Sequence, residues 1–251
     1  MKKKNNHPAG LDVLAVGSHP DDIELSCAGT LIKLARMGYR VGILDLTEGE
    51  MGTRGSEEER HLEAQNAAEI MGLTVRENAG LPDGHLQPDW ETKLTLIKIL
   101  RKYRPKLWII PLPRDRHPDH AATGQAAQAA AFLAGLRKVD TGQEPFRPTW
   151  TLNYFLRWED QPSFVVDVSD TFETRIEAIK AYSSQFDPKT EGPKTFISRP
   201  QFLEGIIARA KYYGSKIEAA YGEPFKSQET LRVDDPVKFL TGIDSEWATL
   251  R

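Results

Sequence analysis

Two short segments, HPDD at residues 19–22 and HPDH at residues 117–120, carry residue types that could hold a metal ion. His19 and Asp22 are three residues apart at the start of a predicted helix, so both side chains can point the same way, and the two histidines of HPDH share that spacing. Two nitrogens and one carboxylate oxygen form a set typical of catalytic zinc, which keeps a position for water. The same set suits non-haem iron, so ligand type leaves the metal open.

The other polar groups in and near these segments suggest hydrolytic chemistry. Asp21 lies beside a candidate ligand and could accept a proton from an attacking water. His117 could donate a hydrogen bond to a developing oxyanion or a proton to a leaving amine, and Asp119 could orient its imidazole. Arg54 and Arg116 could orient an anionic or hydroxyl-rich substrate.

Each segment also has a purely structural interpretation. Pro and Asp are favoured in turns and at helix N-termini, so HPDD or HPDH alone could be a turn with a helix cap. Arg54 could equally be a solvated loop residue, and Cys27 is favoured as a small packing residue. The joint placement of the two segments after strands expected to be neighbours favours the metal site.

The elements that would position these residues follow a strand and helix alternation. Apolar runs predict strands at residues 11–16, 41–46, 74–78, 107–110, 151–158 and 164–168. Helical patterns with caps predict helices at residues 25–37, 56–71, 89–103, 120–133, 169–182 and 200–222. The pattern predicts a single α/β, Rossmann-like domain with a mainly parallel sheet flanked by helices. Functional loops of such sheets meet where the strand order reverses, so the loops after strands one and four should bring HPDD and HPDH together.

The amino-acid composition of the chain limits the kinds of partner that it is expected to bind. The chain has 251 residues and a net charge of -3, so it carries no broad positive charge for binding nucleic acid. A single cysteine excludes an intrachain disulfide and a multi-cysteine zinc cluster. No apolar run approaches a membrane span, so a cytoplasmic protein is expected. The first strand leads into GSHP and not into GxGxxG, which disfavours a dinucleotide-dependent enzyme.

The order of these motifs resembles the PIG-L or LmbE-like family of zinc-dependent deacetylases. The likeness covers about Asp12 to Phe225, and further stretches resemble the bacillithiol-pathway branch of that family, whose substrate is N-acetylglucosaminyl malate. These stretches are DLTEGE at 45–50, RDRHPDH at 114–120, AYSSQF at 181–186 and YGEPF at 221–225. Relatives of this type also suggest a homo-oligomer.

The resemblance implies a role for each candidate residue. It implies one zinc ion per subunit bound by His19, Asp22 and His120, with Asp21 as the general base. It further implies that His117, with Asp119, stabilises the oxyanion and protonates the leaving group, and that Arg54 and Arg116 face the substrate. Near Phe202, close relatives lead us to expect a tyrosine that assists at the oxyanion; a phenylalanine cannot donate that hydrogen bond.

We therefore expect a zinc-dependent hydrolase that removes the N-acetyl group from an N-acetylglucosamine conjugate, releasing acetate. The expected organisation is a flexible N-terminus at 1–10, a deacetylase domain at 11–222 and an irregular C-terminal arm at 223–251. The alternative is a catalytically silent sugar- or nucleotide-binding module on the same fold.

Overall fold

The computed structural model describes residues 10–241, so most of the predicted flexible N-terminus and the last ten residues of the predicted arm lie outside the described residues. The described strands are β1 Val13–Gly17, β2 Val41–Asp45, β3 Val75–Asn78, β4 Leu107–Pro111, β5 Trp150–Tyr154, β6 Phe164–Asp167 and β7 Gly222–Ser227. The described helices are α1 Asp22–Ser26, α2 Ala28–Arg36, α3 Glu57–Met71, α4 Trp90–Tyr103, α5 Pro118–Leu133, α6 Phe172–Lys180, α7 Ser183–Phe186, α8 Pro200–Ser215 and α9 Pro236–Thr241.

The strands form one sheet in the order β3-β2-β1-β4-β5-β7-β6. The first five of these pair in parallel, while β7 runs antiparallel to both β5 and β6. The α/β class with a mainly parallel sheet is thus confirmed. The strand order reverses between β1 and β4, so the loops after these two strands open at the same edge of the sheet.

Both faces of the sheet are covered by helices. In β1, Val13 and Ala15 join a buried cluster with α2, α3 and α6, whereas Leu14 and Val16 join a second cluster with α4 and α5. This two-residue alternation is what the pleat of a strand dictates, and burial on both faces explains why the strand sequence is continuously apolar.

Local sequence signals fix several helix boundaries as predicted. Ser56 and Glu59 form a reciprocal capping box at the start of α3, which ends at Gly72 in the left-handed conformation. The helix predicted at 25–37 is instead two helices, because the chain leaves helical geometry at Cys27, where φ is -140°. Within residues 10–241, no helix is both long and apolar enough to cross a bilayer.

The predicted boundary at residue 222 is wrong, because the chain there enters an interior strand of the sheet. Strand β7 pairs with β5 on one side and β6 on the other. Its Glu223 is buried, and the carboxylate accepts hydrogen bonds from the backbone N–H groups of Gly29 and Thr30 at 2.9 and 2.7 Å. Arg175 completes the set with an ion pair to the same carboxylate at 3.1 Å. The N-terminus of α2 and the Arg175 guanidinium thus stabilise the buried carboxylate of Glu223. The sequence of the strand alone does not predict that this glutamate is buried.

Candidate metal centre

The loop after β1 presents one oxygen of Asp22 and restrains the other. Asp22 Oδ2 accepts hydrogen bonds from the backbone N–H groups of Ser18 and His19 at 2.9 and 3.0 Å. Its Oδ1 lies 3.2 Å from Nε2 of His120. The turn between β1 and α1 therefore fixes the carboxylate rotamer and directs the free oxygen toward the second segment.

His120 reaches Asp22 from the first turn of α5, which follows the loop after β4. Its Nδ1 lies 3.2 Å from Oδ1 of Asp115. A hydrogen bond from Nδ1–H to that carboxylate places the proton on Nδ1 and leaves Nε2 as the nitrogen that faces Asp22. Burial alone would lower the pKa of His120, but Asp22 and Asp115 outweigh burial and raise that pKa to about 9.

His19 is surrounded by carboxylates. Its Nε2 lies 2.9 Å from Oδ1 of Asp83 and 3.4 Å from Oδ2 of Asp119, and its Nδ1 lies 3.6 Å from Asp22. Burial opposes protonation, yet these hydrogen bonds raise the pKa of His19 well above its ordinary value. For Asp22, burial alone would raise the pKa, but the neighbouring histidines hold it well below its usual range. The pocket therefore has a strong electrostatic preference for added positive charge.

Within residues 10–241, two groups of side chains could each hold a metal ion. They are His19, Asp22 and His120, and His19, His117 and Asp119, and within each group the ligand atoms lie within 4.8 Å of one another. Zinc binds such atoms at about 2.0–2.2 Å, so small side-chain shifts would close either group on an ion. Oδ1 of Asp119 is buried and has no hydrogen-bond partner in the described part of the chain. The donor set, its charge and this unpartnered oxygen all fit a divalent cation.

Asp21, between Pro20 and the candidate ligand Asp22, has a strained backbone. Its φ is 112°, in the left-handed region that residues with a Cβ rarely occupy. The side chain is buried, which is the largest cause of a pKa raised to about 7, while the positive charge of Arg60 opposes that rise. Arg60 also donates a hydrogen bond to the carbonyl of Pro20, and its Nη2 lies 3.4 Å from Oδ2 of Asp21. The turn thus holds the Asp21 carboxylate beside the candidate metal ligands. The pKa of this carboxylate suits proton transfer near neutral pH.

His117 and Asp119 meet differently from the sequence-based expectation. The expected hydrogen bond from the His117 ring to the Asp119 carboxylate is not the one that forms; instead the backbone N–H of Asp119 donates to Nδ1 of His117 at 3.3 Å. The carboxylate instead accepts from the backbone N–H of Gly84 at 2.7 Å, because the first turn of α5 directs it toward the loop after β3. Since Nδ1 accepts, the neutral ring carries its proton on Nε2. Burial, together with the charges of His120 and His19, lowers the pKa of His117 and favours that neutral form.

The two arginines lie in different surroundings. Arg54 is buried, and its Nη2 donates to the carbonyls of Asp187 and Thr190 at 3.0 and 2.7 Å. Its substrate role stays a prediction; among the described residues, its buried Nε has no hydrogen-bond partner. Arg116, which precedes His117 in the sequence, is exposed.

Comparisons with known proteins identify the family. Residues 14–131, which include both histidine segments, match the model of the family described as PIG-L: GlcNAc-PI de-N-acetylase. A diacetylchitobiose deacetylase of Thermococcus kodakarensis is 31% identical over 189 residues, which are 69% of this chain and 70% of that protein. The chain belongs to the PIG-L family.

Further PIG-L family relatives extend the likeness beyond the matched segment. The solved structure of the conserved protein TT1542 from Thermus thermophilus has a TM-score of 0.82 and 42% identity, covering 89% of this chain and 98% of that one. A probable N-acetyl-alpha-D-glucosaminyl L-malate deacetylase 2 of Bacillus anthracis is 29% identical over 194 residues, which are 70% of this chain and 82% of that protein. The fold and the whole region from β1 to β7 are therefore covered by PIG-L family relatives.

One position departs from the PIG-L pattern that we expected. Phe202 stacks on Phe186 with ring centroids 5.9 Å apart and contacts Phe196 edge to face at 5.6 Å. This aromatic cluster offers no hydroxyl at the position of the expected tyrosine. Either another residue supplies that hydrogen bond, for which Nε2–H of His117 is the candidate, or the contribution is absent.

Three residues that the sequence did not single out hold the candidate ligands and base. Asp83 contacts His19, Asp115 contacts His120, and Arg60 contacts Asp21. Asp83 also accepts from the backbone N–H of Met51 at 3.0 Å and so ties the loop after β2 to the site. The positions of Asp83 and Asp115 could have identified them as site residues. Both lie in loops at the same carboxyl edge of the sheet as the two histidine segments.

Proposed function

We propose that this PIG-L family protein is a zinc-dependent hydrolase that removes the N-acetyl group from an N-acetylglucosamine conjugate and releases acetate. The observation that carries the proposal is the group of His19, Asp22 and His120, the first two of which are buried, with the buried Asp21 preceding Asp22 in the sequence. A zinc ion held by three protein ligands would keep a fourth position for water. The carboxylate of Asp21, with a pKa of about 7, interacts electrostatically with Asp22 and His19. Deacetylase relatives support the same reaction class.

A zinc ion bound by these residues would acidify water and polarise the amide carbonyl. Asp21 accepts the proton of the attacking water, because its buried carboxylate is poised near neutral pH. Arg60 keeps that carboxylate in place through Pro20 and keeps enough of it ionised to act as a base. The strained backbone at Asp21 is consistent with a side chain held in one orientation for this task.

His117 acts on the oxygen of the reacting carbonyl. Its neutral ring presents Nε2–H, which donates a hydrogen bond to the oxyanion that develops as water attacks. Collapse of the tetrahedral intermediate then requires a proton on the leaving amine, and the proton collected by Asp21 is available for that step. His117 can pass a proton to the same amine as the alternative route.

The proposed substrate is N-acetyl-alpha-D-glucosaminyl L-malate, the conjugate of bacillithiol biosynthesis. Arg116 is exposed next to His117 and could pair with a malate carboxylate, whereas Arg54 is buried and its Nη2 is engaged by the backbone carbonyls of residues 187 and 190. The similarity to the Bacillus anthracis protein supports this choice. A cytoplasmic homo-oligomer with one zinc ion per subunit belongs to the same proposal.

Acetate release provides the test. The protein is stripped of metal with a chelator, restored with zinc or with ferrous iron, and offered malate-linked N-acetylglucosamine, inositol-linked N-acetylglucosamine and diacetylchitobiose. We expect acetate only from the restored protein, with the highest kcat/KM for the malate conjugate. A preference for another conjugate would reject the malate assignment and keep the reaction.

The same measurement separates an enzyme from a silent binding module. Tight binding of a conjugate by the metal-restored protein without acetate release from any of the three would contradict the hydrolase and favour the module. Metal analysis of the restored protein accompanies the assay, so that a lack of turnover cannot be attributed to a lack of metal.

A further inference from the structure

A single carboxylate, Asp115, joins the metal centre to a surface loop. Its Oδ1 accepts from the backbone N–H of His117 at 3.0 Å and faces Nδ1 of His120 at 3.2 Å. Its Oδ2 accepts from the backbone N–H groups of Arg157 and Trp158, both at 3.0 Å. The side chain of Asp115 is only 4% exposed. Both oxygens are therefore committed, one to the candidate metal ligand and one to the loop that follows β5.

The first oxygen controls the ring of His120. A carboxylate that accepts from Nδ1–H fixes both the tautomer and the orientation of a metal-binding imidazole, and it increases the basicity of the other nitrogen. That other nitrogen, Nε2, faces Asp22 at 3.2 Å. Removal of the acceptor would leave the ring free to rotate about its side-chain bonds.

The second oxygen controls a loop that displays aromatic and cationic groups. The Trp158 side chain is 50% exposed although it is large and apolar. The Arg157 guanidinium lies 5.6 Å from the centroid of the Phe196 ring, which is also 50% exposed. Exposed aromatic faces beside an arginine suit a ligand that combines a sugar ring or another C–H surface with negative charge. The carboxylate of Asp115 lies between the backbone of this loop and the imidazole of His120 and contacts both.

We propose that Asp115 is a positioning residue that couples the metal centre to a substrate subsite formed by Arg157, Trp158 and Phe196. This subsite takes the part of the conjugate that lies beyond the N-acetylglucosamine ring, and it favours an anionic aglycone because Arg157 supplies the charge. The inference rests on the proposed function for the identity of the ligand. Its metal-binding half does not depend on that function.

The test compares Asp115→Asn and Trp158→Ala with the control Asp140→Asn. Asparagine has the shape of aspartate but only one acceptor oxygen, so it can serve His120 or the loop, but not both. The control removes a carboxylate that accepts from the backbone N–H of Gly142 in an exposed loop. Zinc affinity is measured by competition with a chromophoric chelator. KM is measured at saturating zinc for the malate conjugate and for N-acetylglucosamine.

For Asp115→Asn we expect zinc affinity to fall about 10- to 100-fold, with a larger rise in KM for the conjugate than for N-acetylglucosamine. For Trp158→Ala we expect a rise in KM of up to about tenfold for the conjugate, with zinc affinity unchanged. The control should match wild type in both measurements. A variant that was only less stable would not show these selective changes, in which Asp115→Asn loses zinc affinity and Trp158→Ala changes KM alone.

Zinc affinity of Asp115→Asn within twofold of wild type would overturn the coupling at the metal end. Equal changes in KM for the two substrates in Trp158→Ala would overturn the subsite. If wild type releases no acetate from any conjugate, the proposed function fails by that result alone. Zinc competition and calorimetric binding of the malate conjugate to the same variants then still decide the role of Asp115.

Discussion

The HPDD and HPDH halves of the site differ in how firmly the protein holds them. Asp21 and Asp22 are buried, and backbone N–H groups, Arg60 and a strained turn restrain them. His117 is half-buried at the N-terminus of α5, and Arg116 beside it is exposed. Under the proposed function, the two halves have different tasks: the buried half, Asp21 and Asp22, serves metal geometry and proton transfer, and the outer half, His117 and Arg116, meets the substrate. The other two titratable HPDH residues, the buried Asp119 and the candidate ligand His120, belong with the metal centre.

The largest expected effect is on the buried half. Asp21→Asn removes the proton acceptor and keeps the shape of the side chain, so we expect kcat to fall about 10⁴-fold, the upper end of general base effects. Zinc content should remain at the wild-type level, because Asp21 is not in the ligand group. Steady-state acetate release and metal analysis of the same preparation measure both quantities.

Asp170→Asn is the control for that change, since Asp170 is exposed and pairs with Lys33 far along the chain. It should leave kcat and zinc content as in wild type. An Asp21→Asn protein with kcat near that of the control would remove Asp21 from the general base role.

The outer half should respond less strongly. His117→Gln keeps a hydrogen-bond donor near the oxyanion and removes the imidazole, so we expect a fall in kcat of about 10²-fold, the lower end of the range for such groups. Zinc content should not change if His19, Asp22 and His120 are the ligands. Loss of zinc in this variant would instead favour the ligand group that contains His117 and Asp119.

Arg60→Met tests whether the buried half depends on its supporting cation. Without Arg60 the pKa of Asp21 rises further, because that guanidinium opposes the effect of burial. The acid limb of the rate profile should therefore move to higher pH. For a rise of about one pKa unit from about 7, the ionised fraction of Asp21 at pH 7 drops from about one half to about one tenth, so kcat at that pH should fall about fivefold. The free energy of unfolding should drop by about 3 kcal/mol, as expected when one partner of a buried ion pair is removed.

Arg36→Met is the matched control, because Arg36 is exposed and donates to Asp170 and Thr174. Its pH profile should coincide with that of wild type. An Arg60→Met profile that also coincides would show that Asp21 does not depend on the arginine.

The smallest effect is expected at the rim. Arg116→Ala should raise KM for the malate conjugate by no more than about fivefold and leave kcat unchanged, because an exposed ion pair contributes about 1 kcal/mol or less. Arg137→Ala, an exposed change beyond the far end of α5, serves for comparison. A large fall in kcat for Arg116→Ala would contradict the assignment of Arg116 to substrate binding alone.

The sheet and the meeting of the two histidine segments could be predicted from the sequence. Apolar runs alternate with capped helices, and parallel topology brings the carboxyl ends of β1 and β4 together. The Ser56 and Glu59 pair is a purely local signal, and its capping box forms as predicted. These features depend on short-range patterns and one topological rule.

What could not be predicted depends on contacts between distant segments. Asp83 lies in a Pro-Asp-Gly turn that looks like any other turn until His19 is placed against it. Glu223 and Pro224 lack a strand pattern, and the structure accommodates them because α2 and Arg175 satisfy the glutamate. From its glycine-containing loop, Arg54 could equally be a solvated residue or a substrate contact, and its burial depends on the distant segment at 187–190, whose carbonyls accept its hydrogen bonds.

In the proposed site, His19, Asp22 and His120 bind the metal and leave His117 free for the substrate. An anomalous difference map from crystals of the zinc-restored protein, collected on both sides of the zinc absorption edge, tests this assignment directly. We expect one peak per subunit within about 2.0–2.2 Å of one atom from each of those three residues. A peak coordinated by His117 and Asp119, or no peak in protein that releases acetate, would contradict it.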